Sequence, residues 1–156
     1  MTTTEIKQHI YTLTPEDAKE VHSYTSDLIA ERTHDAIREK NKQVISDYLN
    51  MVNYIEDSMF IKIISSSRKQ EVAYARYCLY TYIKNELNDI ESNSRSYSTI
   101  IANVFNKDHS SVIHGLNTYK DEIKVNKELQ YIDTQIKAII KEYKDKIYLT
   151  NIENQN

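Results

Sequence analysis

Apolar residues recur along this chain at helical spacing almost throughout, with no run of strand-like alternation. Ala18, Val21, Thr25, Leu28 and Ile29 share one side of a helix predicted over about 15–40. Thr14-Pro15-Glu16-Asp17 opens it: Thr caps, Pro takes the first position, and the acids sit at the positive helix end. A second helix is predicted over about 42–61, carrying Val44, Tyr48, Val52, Ile55 and Met59. Ser65-Ser66-Ser67 breaks the pattern and predicts a loop leading into Arg68-Lys69. A third helix over 72–87 turns Val72, Ala75, Leu79, Tyr82 and Ile83 inward, and 88–95 reads as a polar connection. Near the end, Leu129, Ile132, Ile136, Ile139 and Tyr143 recur close to a heptad. They are expected to pack back on the domain, with a dimerising helix pair as the alternative. Residues 1–13 carry no clear signal beyond a loose segment or short helix, and 150–156 reads as a frayed end.

The most informative stretch is 96–120, which reads as helix, tight turn, helix. Ile100, Ile101, Val104 and Phe105 form the first apolar stripe, and Asn106-Lys107 interrupts it. Asn is the non-glycine residue that best tolerates the left-handed backbone of a sharp turn. Asp108 is placed to cap the next helix. There Val112, Leu116, Tyr119 and Ile123 form a buried stripe, while Ser110, His114 and Asn117 lie opposite at a spacing that reaches one flat object together. A helix with one packed face and a short polar face is what enters a DNA major groove. On periodicity alone, an ordinary amphipathic helix with a solvated face serves as well.

Composition narrows the class. One Gly and one Pro in 156 residues argue for an all-helical protein, and 13 Tyr without Trp require Tyr rings to build much of the core with hydroxyls at its edge. A single Cys, Cys78, excludes an internal disulfide and a cysteine zinc site, and it reads as core. His22 and His34 read as surface residues. His109 and His114 are about 140° apart around a helix and do not converge on a metal. No Gly-Lys-Ser/Thr phosphate loop and no nucleophile–base set appears, so neither nucleotide, cofactor nor catalysis is expected. No apolar run would span a membrane and no signal peptide opens the chain, which leaves a cytoplasmic location.

The net charge of −3 looks wrong for a DNA binder until it is divided. Residues 1–60 carry six basic and eleven acidic side chains, whereas 61–87 carry Lys62, Arg68, Lys69, Arg76 and Lys84 against Glu71 and Glu86, a local +3. Where the charge lies, more than its total, decides whether phosphates are attracted.

Phe105-Asn106-Lys107-Asp108-His109-Ser110-Ser111-Val112-Ile113-His114-Gly115 resembles the signature of domain IV of DnaA, the DNA-binding domain of the bacterial replication initiator. In that family an aromatic ends the first helix, Asp-His-Thr-Thr-Val opens the recognition helix, and a His follows. Arg68-Lys69-Gln70-Glu71-Val72 and Ala75-Arg76 resemble its basic loop and the helix start after it. The likeness covers roughly 66–140. It implies a helix-turn-helix core of the DnaA domain IV and Trp repressor kind, with an N-terminal helical hairpin and a C-terminal helical extension added. The implied divisions are 1–64, 65–140 and 141–156.

The resemblance also implies roles. Arg68 would enter the minor groove, with Lys69 beside it; Arg76, Lys84 and His114 would meet the DNA backbone; Asp108 and His109 would read base edges. Ser110 and Ser111 stand where the family has Thr-Thr, and so lack the methyls that would touch thymine. Ser98 and Thr99 replace a Leu-Pro and could bond phosphate, and Lys107 lies in a turn one residue shorter than the family's Gly-rich one. Tyr77 replaces a Gln. The expected function is non-enzymatic, sequence-specific binding of double-stranded DNA in replication initiation, its regulation, or transcription, in a bacterium or phage. The N- and C-terminal helices would serve a homodimer or protein partner. The competing expectation is a structural or assembly protein, such as a phage particle component, that reuses the scaffold without reading DNA.

Overall fold

The computed structural model describes residues 2–90 and 96–155, apart from the side chains of Ile6, His9, Ile10, Tyr11, His34, Asp89, Ile90 and Ser96. The described residues form helices alone: α1 (Thr3–Tyr11), α2 (Pro15–Met59), α3 (Gln70–Ile90), α4 (Ser96–Phe105), α5 (His109–Glu122) and α6 (Lys127–Gln155). The chain is all-α. No helix among the described residues is long and apolar enough to cross a membrane.

The expected N-terminal hairpin is absent, because α2 runs unbroken from Pro15 to Met59. Lys40-Asn41-Lys42 contains neither Gly nor Pro, and an Asn inside a helix costs only roughly half a kcal/mol against Ala. The N-terminus of α2 forms as the sequence predicts. The Asp17 amide donates to Thr14 Oγ1 at 3.2 Å, and the Thr14 hydroxyl donates to Asp17 Oδ2 at 2.7 Å. α3 continues to Ile90, and the rest of the expected polar connection, 91–95, lies outside the described residues. α6 stays helical through the end predicted to fray, as far as Gln155.

Two compact units are distinguished, Met1–Lys42 and Gln43–Asn156. In the first, every described side chain is exposed or at most half-buried. The second takes in residues 43–64, which the implied divisions had placed in the N-terminal region. Met51, Val52, Ile55 and Ile63 lie in its core. The serine-rich break at 65–67 is therefore a loop within this unit.

α3 is the central helix of the second unit and packs against α4, α5 and α6. Val72, Ala75, Leu79 and Ile83 of α3 are buried, as are Ile100, Ile101, Val104 and Phe105 of α4 and Val112 and Leu116 of α5. Leu129, Ile132, Ile136 and Ile140 close the core from α6, so its heptad-like stripe packs inward. Four tyrosines finish the edge of this core, each ring against it and each hydroxyl on a carboxylate. Tyr48 and Tyr82 both bond Glu86, at 3.0 and 2.6 Å; Tyr74 bonds Glu122 at 3.2 Å and Tyr119 bonds Asp133 at 3.0 Å. Cys78 is buried, and burial with Asp133 beside it pushes its thiol well above the ordinary range, the opposite of an activated nucleophile.

Two helices of this unit stop in the same way. At the end of α2, Phe60 takes φ 56° and the Ile61 amide reaches back to Glu56 O at 3.3 Å. At the end of α4, Asn106 takes φ 49° while the Lys107 amide reaches Ala102 O at 3.0 Å. This is the left-handed C-terminal cap that glycine usually provides. The one glycine of the chain, Gly115, is used elsewhere.

Candidate nucleic-acid interface

Residues 60–69 connect α2 to α3 and carry the basic loop. Serines fold the loop locally: Ser65 Oγ donates to Lys62 O at 2.7 Å, and the amides of Ser67 and Lys69 donate to Ser65 Oγ and Ser67 Oγ. From below, the buried Glu56 carboxylate accepts the Ile64 amide at 2.7 Å. The decisive contact comes from Arg76. Its guanidinium donates to Ile63 O at 2.8 Å, Ser67 O at 2.9 Å and Ser65 O at 2.6 Å. A planar fork with five donors suits three carbonyls around one loop, which a lysine ammonium could not span.

The resemblance implied a phosphate contact for Arg76; in the structure its guanidinium donates to the loop's own carbonyls. Arg76 is only 8% exposed, and it builds the loop that presents Arg68 and Lys69. Lys107 is drawn to the same place. From the turn between α4 and α5 its Nζ donates to Ser65 O at 3.0 Å, so one carbonyl joins the basic loop to the turn across 42 residues of sequence.

Asp108 caps α5 with φ −78° and ψ 162°. Its Oδ1 accepts the Ser110 hydroxyl at 2.6 Å and the Ser111 amide at 2.7 Å. The Ser110 hydroxyl, with the amide and side chain of Ser111, holds the carboxyl down at about 2, against an ordinary 3.8. A folded-state value below the unfolded one means the cap stabilises fully above the ordinary value and is lost as pH falls through the folded one. The Ser111 amide resonance is thus expected to titrate with a midpoint near 2 in the folded protein. It should show no such step in Asp108→Asn.

An open cleft of about 460 Å³ lies where these parts meet. Arg68 and Ser67 of the loop line it, as do Arg76, Tyr77 and Tyr80 of α3, Lys107 of the turn, and Ser111 and His114 of α5. Two segments far apart in the chain thus share one concave surface. Exposed at the start of α5 are Asp108, His109 and Ser110. His109 Nδ1 lies 3.3 Å from Ser98 Oγ, which ties the helix tip to the first turn of α4. Thr99 is exposed on α4, and Lys69 is exposed beside Arg68. Lys84 is half-buried away from the cleft lining, its ammonium 5.2 Å from the centre of the Tyr97 ring.

Three residues the sequence reading did not assign to the site support it. Glu56 holds the loop backbone. Tyr77, noted only as a departure from the family, lines the cleft and meets His114 edge-on, with ring centres 6.1 Å apart and planes at 88°. Gly115 is buried against α3, where a Cβ would lie 2.5 Å from Tyr77 Cδ1 and 2.8 Å from Tyr80 Cδ2. Its signal in the sequence was that it is the one glycine present, in mid-helix, where glycine is otherwise a cost.

Among the described residues no group of His, Cys, Asp or Glu could hold a metal ion. No family model matches the chain, and no solved structure matches it. Among curated proteins, the chromosomal replication initiator protein DnaA of Bacteroides thetaiotaomicron is 31% identical over 116 residues. That match takes in 74% of this chain but only 23% of the relative. The chain thus carries a region similar to part of DnaA, longer than the likeness read from the motifs.

Proposed function

We propose that this chain is a non-enzymatic protein that binds double-stranded DNA sequence-specifically, and that it acts in bacterial replication initiation or its regulation. One observation carries the reading: Arg68 from the basic loop and Ser111 and His114 from α5 line one cleft. α4, the turn and α5 would act as a helix-turn-helix, with α5 in the major groove. Arg68 would enter the adjacent minor groove, where a narrow electronegative slot favours a guanidinium. The Asp108 carboxylate can accept from a cytosine amino group, and His109 can donate to a base edge. Lys69, Ser98, Thr99 and Ser110 offer hydrogen bonds to phosphate. Arg76 and Lys107 serve by holding the loop, and Lys84 by anchoring α4. The similarity to part of DnaA supports this reading, as does the cationic character of 61–87.

The test is duplex binding across a salt series, using a sequence selected from randomised DNA. Wild type should bind more weakly as salt rises, and Arg68→Ala should show a log–log slope shallower by about 0.9. His109→Ala should narrow the gap between selected and random sequence by about 1–3 kcal/mol. Equal, negligible binding by all three proteins would remove the proposal and leave the scaffold reading, which the overall acidity favours.

A further inference from the structure

We propose that Ile113 and Asn117 of α5 together read A·T base pairs, Ile113 against the methyl group of a thymine and Asn117 on the edge of an adenine. The pairing rests on the DNA-binding role proposed above and names part of its target. Ile113 is 42% exposed, whereas the other large apolar side chains of α5 turn inward, Val112 and Leu116 buried and Tyr119 half-buried. An exposed isoleucine gains little from burial and fits a helix less well than alanine or a long polar side chain. Its neighbours on the outer face, His109, Ser110 and Asn117, are exposed and polar. Around the helix Ile113 lies about 40° from His109 and from Asn117, and about 60° from Ser110. The three thus form one ridge, a turn apart from each other. Side chains one turn apart are separated by about 6 Å and stacked base pairs by about 3.4 Å, so Ile113 meets the pairs one or two beyond those at His109.

Chemistry selects the occupant. In the major groove the base edges are told apart by donors, acceptors and one apolar group, the thymine methyl. An isoleucine on a base-reading face has that methyl as its complement. The serines of the helix tip do not compete for it, since they carry no methyl and the Ser110 hydroxyl is turned to Asp108 at 2.6 Å. Asn117 asks for the partner base. Its amide can accept from the adenine amino group and donate to the adjacent ring nitrogen at once. Two neighbouring side chains on one ridge therefore call for the same kind of base pair.

The test deletes single groups from the DNA. In the duplex selected from randomised sequence, each thymine is replaced in turn by uracil, which lacks only the methyl. Each adenine is replaced by its 7-deaza analogue, which lacks the ring-nitrogen acceptor. Wild type should lose affinity about fourfold at one thymine, the value of one buried methyl group. At a nearby adenine it should lose about fivefold, the value of one hydrogen bond. Ile113→Ala should be indifferent to that uracil and keep the loss at the altered adenine; Asn117→Ala should do the reverse. Both side chains are exposed and alanine favours the helix, so neither change disturbs the core. Sequence-selective binding by wild type that ignores either deletion would overturn this proposal and leave the DNA reading standing. So would a variant that keeps the wild-type loss at its own base. No binding to any duplex would remove the DNA reading and this proposal with it.

Discussion

Arg76→Ala is expected to lower the unfolding free energy by about 2–4 kcal/mol, among the largest effects of any single change in this chain. The carbonyls of Ile63, Ser65 and Ser67 would lose charge-assisted donors in a place largely shielded from water. Glu56 would still hold Ile64, and Lys107 would still reach Ser65, so the loop should loosen without the core coming apart. Arg76→Lys keeps the charge but replaces a fork by a point donor, and should recover only part of the loss. Urea titration gives the stability, and amide exchange over 63–69 gives the local opening. DNA affinity separates positioning from direct contact. If Arg76 acts through the loop, both variants should weaken binding in proportion to loop exchange. Wild-type exchange in Arg76→Ala would mean the loop does not depend on the guanidinium.

Gly115→Ala comes next, and its sign is the informative part. In an ordinary helix interior the change stabilises by roughly 0.5–1 kcal/mol, since alanine has less backbone freedom to lose. Here the new methyl would meet Tyr77 and Tyr80 at distances no carbon pair tolerates. Tyr80 is 2% exposed and has its ring edge-on to Phe105 at 4.9 Å, so it cannot give way. Tyr77 can swing, but its outward path is the cleft where it meets His114. Overpacking of this kind costs about 1–3 kcal/mol, so a net loss is expected, with His114 displaced and DNA binding weakened. In a Tyr77→Ala background the same substitution should cost less, and a double-mutant cycle on melting measures the difference. A Gly115→Ala protein as stable as wild type would show that α5 can lift off α3 freely.

The site was legible in the sequence as far as local chemistry reaches. Asn106 takes the left-handed turn and Asp108 the cap expected of them, because both depend on atoms within a few residues along the chain. The stripe of Val112 and Leu116 and the opposite face of Ser110, His114 and Asn117 follow from the helical repeat in the same way. What misled was local evidence applied to a non-local question. Two helices were expected, over about 15–40 and 42–61, yet no residue at 40–42 breaks a helix, and α2 passes through. A position in a motif likewise cannot say which way a guanidinium turns, and that of Arg76 turns to the carbonyls of its own loop.

The residues alone thus determined the helical class, the turn between α4 and α5, and which faces of α3, α4, α5 and α6 are apolar, all consequences of interactions between near neighbours. Only the tertiary structure decided that Arg76 and Lys107 clamp Ser65, that Gly115 seats two tyrosine rings, and that residues 43–64 join the core. Those depend on where segments tens of residues apart come to rest. That outcome is chosen by the packing of the whole core, which periodicity along one segment does not encode.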